Sequence, residues 1–186
     1  MSAPATPAVT KAPAKFARPA RPPAPAMPEL DALDQTHRQV IAALGELHQL
    51  VEQLDRNGVD AGAQQLSKDI CAFFRGSARQ HHADEERLIF PGLLNSGDHT
   101  LVHHVLRLQQ DHGWLEEDWQ ELEPQLQAVA DGYSWYDLDM LRAALPVFEA
   151  LYREHIALEE SLIYPEARRQ RQVAQAAVAA RTTDAG

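Results

Sequence analysis

The chain has 186 residues, a formal net charge of −10 and 45% hydrophobic residues. It is long and apolar enough for one domain with a buried core, and it lacks the positive excess that draws a protein to nucleic acid. Cys71 is its only cysteine, which excludes a disulfide framework and a cysteine-rich metal site, and no apolar run approaches the ~18 residues of a membrane helix.

In chain order, residues 1–28 are rich in Pro and Ala and carry Lys11, Lys15, Arg18 and Arg21, while all 27 acidic residues lie beyond them. So few large apolar side chains cannot offset the entropy of ordering. The expectation is a disordered, weakly basic arm that solubilises the domain or touches a polyanion. It has no apolar centre of a secretory signal, so a cytoplasmic location is expected.

The domain is expected over 29–169. A first helix over about 29–55 has its stripe at Leu30, Leu33, His37, Ile41, Leu44, Leu47, Val51 and Leu54, with Asn57-Gly58 as its stop. A second, from about Ala63 to Phe90-Pro91-Gly92, buries Leu66, Ile70, Phe73, Phe74, Ser77, His81, Glu85 and Leu88. His82 points about 100° away from His81 and follows Cys71, Arg75 and Ala78 on a flank; the alternative is a register slip that makes it the ligand together with Glu86. After Asp98, a good N-cap, a third helix carries Leu101, Val105, Leu108, His112, Leu115, Trp119 and Leu122. A fourth, from about Tyr136 or Asp137 to about Arg169, carries Leu141, Leu145, Phe148, Tyr152, His155, Glu159 and Leu162. Pro124 predicts a kink in the third, and Pro146 a kink or late start in the fourth. Residues 170–186 are expected to fray. Four amphipathic helices with short connections predict an all-α, up-down-up-down antiparallel four-helix bundle.

One phrase occurs twice. His81-His82-Ala83-Asp84-Glu85-Glu86-Arg87-Leu88-Ile89-Phe90-Pro91 returns as His155-Ile156-Ala157-Leu158-Glu159-Glu160-Ser161-Leu162-Ile163-Tyr164-Pro165, with 7 of 11 positions identical. Each copy sets a His and a Glu at i and i+4, on one helix face. Counted from one end of the bundle at ~1.5 Å per residue, His37, His81, His112 and His155 lie roughly 12 to 21 Å deep, one per helix. Two core-facing carboxylates without Lys or Arg at their level need cations. Four imidazoles and two carboxylates without thiolate suit iron or manganese in a dinuclear site, and exceed the four ligands of a structural zinc. The candidate metal ligands are His37, His81, Glu85, His112, His155 and Glu159. Glu86 and Glu160 read as outer or exposed carboxylates, and Tyr152 as a core ring or a donor toward the site.

His37, the two His–Glu pairs with their Leu-Ile-aromatic-Pro sequels, and Asp111-His112 resemble the hemerythrin family, and most closely its HHE cation-binding branch, over about 30–168. The resemblance implies a four-helix bundle with two non-haem irons bridged by both carboxylates and an oxo or hydroxo group. His37 and His155 would share one iron, and His81 and His112 the other. Oxygen-carrying hemerythrins place two His four apart on the third helix; here Leu108 and Glu116 flank His112 at that spacing. The site is thus closer to the four-His di-iron proteins that repair iron–sulfur clusters under nitric oxide stress. Those often carry a short N-terminal Cys-bearing domain, where this chain has its Pro/Ala arm. Three functions follow: a module that binds or senses O2 or NO, or handles iron; a di-iron oxidoreductase of stress defence or cluster repair; or a metal-free helical interaction protein. No nucleic acid or membrane is expected as a partner.

Overall fold

The computed structural model describes residues 28–184; the Pro/Ala arm falls outside the described residues except for Pro28. Helix α1 spans Pro28–Asn57, opening on a proline whose missing amide hydrogen costs nothing in a first turn. Its buried positions include Leu30, Leu33, His37, Val40, Leu44, Leu47, Leu50 and Leu54. Steps of three and four residues keep these on one face, as helices packed lengthwise require. It replaces Ile41 and Val51 of the expected stripe with Val40 and Leu50; Ile41 and Val51 pack at the core's edge. Gly58, at φ 67°, stops the helix in the left-handed conformation that glycine takes without penalty.

The second rod is α2 (Ala61–Phe73), a π-helical turn over Phe74–Ala78, and α3 (Arg79–Leu88). Asp60 caps it, accepting from the Ala63 amide at 2.8 Å. The chain breaks at Ile89, and Pro91 sits in the first turn of the short α4 (Phe90–Leu94). Helix α5 (His99–Ala130) is capped by Asp98 and runs through Pro124. It ends where the Tyr133 amide reaches Ala128 O and the Gly132 amide Val129 O, both at 2.9 Å, a glycine-terminated helix end. Helix α6 (Leu138–Leu158) is capped by Asp137 and runs through Pro146, so the proline marks no late start. A second π turn over Glu159–Ile163 leads into α7 (Tyr164–Asp184). The fourth rod therefore continues past Arg169. The segment beyond is rich in Ala, Gln and Arg, all strong helix formers, and stays helical while Val173 and Val178 remain exposed.

The four rods form an antiparallel bundle in which α1 and α5 each pack against α2 and α6. Its apolar interior falls into two clusters. One holds Leu30, Leu33, Phe90, Leu108, Ile163 and Tyr164; the other, larger one runs from Val40 and Leu44 through Phe74, Leu115 and Trp119 to Phe148 and Tyr152. On every rod the residues between these clusters are buried His, Glu or Asp. A polar layer thus crosses the core. Among the described residues no helix is long and apolar enough to cross a membrane.

Candidate metal centre

That layer contains all six sequence-predicted residues. His37 comes from α1, His81 and Glu85 from α3, His112 from α5, His155 from α6, and Glu159 from the first position of the second π turn. Glu85, His155 and Glu159 are fully buried, and the other three are at most 6% exposed. Glu159 lies between two histidines: its Oε2 is 3.1 Å from His37 Nε2 and its Oε1 3.2 Å from His155 Nε2. Glu85 Oε2 lies 3.5 Å from His81 Nε2 and 3.4 Å from His112 Nε2.

Two sets of four donors result. One atom from each of His37, His81, Glu85 and Glu159 lies within 4.8 Å of the others, and the same is true of Glu85, His112, His155 and Glu159. Both carboxylates belong to both sets, which is how two adjacent cations share bridging ligands. The grouping corrects the pairing implied by the resemblance: His37 goes with His81 and His112 with His155. Glu159 separates His37 from His155, one carboxylate oxygen facing each.

Glu85 Oε2, both Glu159 oxygens, His112 Nε2 and His155 Nε2 are buried without a hydrogen bond. Native interiors seldom leave such atoms unpartnered, and these converge on one another. Their number and chemistry, four imidazole nitrogens and two carboxylates, fit a pair of first-row transition-metal ions. Without cations, burial and then the neighbouring Glu159 push the Glu85 carboxyl up to about 7. Burial opposes ionisation of Glu159 too, but His155 and His37 hold it well below the usual carboxylate range. Burial alone would lower His155, yet Glu159 and Asp111 raise it to about 10; burial lowers His81 to about 3. The metal-free layer therefore balances its charge with protons, which cations would displace.

An outer ring orients the imidazoles. His112 Nδ1 donates to Glu86 at 2.8 Å and His37 Nδ1 to Glu160 at 3.0 Å, since an ionised carboxylate only accepts. Each bond leaves Nε2 free to face inward. His155 Nδ1 faces buried Asp111 at 3.8 Å, and Asp111 faces Arg107 at 3.7 Å. Glu86 and Glu160 are thus the second residues of the repeated Glu-Glu, each serving a histidine of another helix.

One residue escaped the sequence reading. Tyr164 is fully buried, donates its hydroxyl to Glu85 and lies 3.2 Å from His37 Nε2. The signal was the Phe90-to-Tyr164 change inside the repeat. Tyr152, which the sequence offered as a core ring or a donor, is a core ring, packed with Phe74 and Phe148. His82, expected on a flank, is half-buried and stacks on His112 with ring centroids 4.1 Å apart. Along that flank Cys71 and Ala78 are buried and Arg75 is exposed, and Ser77, expected in the core, is exposed. The π turn at Phe74–Ala78 takes up an extra residue and swings Ala78 and His82 inward.

A Haemophilus influenzae protein, named only as an uncharacterized protein, is 29% identical to this chain over 126 residues, 68% of the chain and 71% of that protein. No solved structure matches. The family model described as the hemerythrin HHE cation binding domain matches residues 29–167, the whole bundle with its buried His–Glu layer, and the chain belongs to this hemerythrin HHE cation-binding family.

Proposed function

We propose that the protein holds two irons in the layer between His37, His81, Glu85, His112, His155 and Glu159, and uses them to bind or sense a diatomic gas, O2 or NO. The observation that carries this reading is the pair of fully buried carboxylates whose free oxygens face four imidazole nitrogens. Bound iron supplies a coordination position for the gas; manganese is the other metal the donor set suits. The protein supplies enclosure. With the donors at most 6% exposed, the layer admits a diatomic molecule far more readily than an organic substrate. A metal-free interaction protein is disfavoured, because it would balance these buried groups with protons alone and leave Glu85 Oε2, both Glu159 oxygens, His112 Nε2 and His155 Nε2 without hydrogen bonds, which native interiors seldom do.

One observation favours an enzyme as the second reading. The Tyr164 hydroxyl sits at the layer in hydrogen-bond contact with Glu85 and His37, where it can hold a proton for a reduced product. Rapid mixing of the iron-loaded, reduced protein with O2, NO and peroxide separates the two. Reversible spectral changes with O2 or NO and no product are expected. Multiple turnovers of NO or peroxide would replace binding with catalysis, and no response to either gas would remove the reading.

A further inference from the structure

Residues 1–28 carry Lys11, Lys15, Arg18 and Arg21 and no acid to pair with them. The bundle has the opposite imbalance, yet most of its surface acids are matched: Asp84 by Arg87, Glu123 by Arg75, Glu149 by Arg153 and Glu166 by Arg169. Among the described residues, the carboxylates with neither an ion pair nor a hydrogen bond are Glu46 and, together on α5, Glu117, Asp118 and Glu121. Burial, then the neighbouring Glu121 and Glu117, raise the Asp118 carboxyl above its ordinary value, as crowded like charges do.

Asp118 and Glu121 border a groove of about 210 Å³ between α5 and α6, whose other walls are the apolar Leu122, Ala144 and Val147. Val147 is 63% exposed and Trp114 48%, the latter one turn before Asp118 on the same helix face. Apolar surface beside carboxylates suits a basic segment that also carries an apolar ring, and Trp114 offers its face to a cation. The arm is such a segment, with Phe16, its only aromatic residue, between Lys15 and Arg18.

The arm is also long enough. It joins the bundle at Pro28, nine residues above His37, and Asp118 lies six residues beyond His112. At ~1.5 Å per residue the groove is roughly 22 Å along the bundle from that junction. It is about 15 to 20 Å across, since α1 and α5 each pack against α6 at helix spacings of about 10 Å. The stretch from Arg18 to Pro28 spans up to about 33 Å when extended, against a path of about 28 Å. Exposed ion pairs are weak one by one, but a short tether holds the segment at about millimolar effective concentration.

We propose that residues 11–18 occupy this groove in the same chain, with Phe16 against Ala144 and Val147 and with Lys15 and Arg18 facing Glu117, Asp118 and Glu121. The arm is then a strap across the two helices that supply His112 and His155, and it forms with or without metal.

The test uses the full chain with a photo-crosslinking phenylalanine analogue in place of Phe16, irradiated at low salt as an equal mixture of unlabelled and isotope-labelled protein. Cross-linked peptides are read by mass spectrometry. Cross-links to residues 114–121 and 144–147 of the same chain are expected. Their yield should fall on the order of fivefold in about 0.5 M salt, where exposed charges are screened, and this comparison needs no change in the bundle. The Asp118→Asn, Glu121→Gln double variant should show the same fall at low salt, and Glu46→Gln none. Cross-links between labelled and unlabelled chains would put a second copy in the groove and overturn the proposal. Cross-links scattered over the surface, or a yield unmoved by salt and by the double variant, would overturn it as well.

Discussion

The two copies of the repeated phrase share their chemistry and differ in how they leave it. Each ends in proline, which cannot donate to the carbonyl four residues earlier and crowds it. After His81 and Glu85 the chain breaks at Ile89 and restarts as a short helix. After His155 and Glu159 it forms a π turn over Glu159–Ile163 and continues as one rod. Both solutions set the repeat's aromatic ring against a histidine of a neighbouring helix: Phe90 on His112 with centroids 5.6 Å apart, and Tyr164 on His37 at 5.3 Å. Both also direct the second Glu to that histidine's outer nitrogen. A pseudo-twofold arrangement of donors can therefore survive different backbones.

The larger of two effects that probe this symmetry concerns the outer carboxylates. Glu160→Gln and Glu86→Gln each remove the charge that orients one imidazole, a change that lowers metal affinity by roughly 10- to 100-fold. Equal losses would follow from a symmetric site. Equal losses are expected here, because each carboxylate holds the outer nitrogen of one histidine in the same way, and iron titration of each variant measures them. The smaller effect is that of Tyr164→Phe, which converts the second ring into the first. Glu85 loses a buried donor, and the metal-free protein should lose about 1–3 kcal/mol of stability in urea melts, while iron uptake stays at two per chain. Loss of iron in this variant would make the hydroxyl part of the metal's own shell.

Much of this was legible in the sequence. The all-α bundle follows from four long periodic segments, and the layer from His37, His112 and the repeat, because a residue type at i and i+4 reads the same on any straight helix. What was hidden depended on departures from straightness. Ser77 was read as core and Ala78 as flank because a π turn has no marker in the residues themselves; His82 moved with them. The pairing of histidines was hidden for another reason. Helix spacing gives depth along the bundle but not which carboxylate oxygen separates which imidazoles, and Glu159, between His37 and His155, decides that. The role of Glu86 and Glu160 was a matter of reach: both are about half exposed, as surface acids are, yet each crosses to another helix.

Metal stoichiometry of the full chain, counted after anaerobic loading with ferrous iron and removal of loosely held metal, tests the central claim most directly. Two irons per chain in wild type and a loss of both in the Glu85→Ala, Glu159→Ala double variant is the predicted result. Wild type that retains none, or a double variant that retains two, would contradict it.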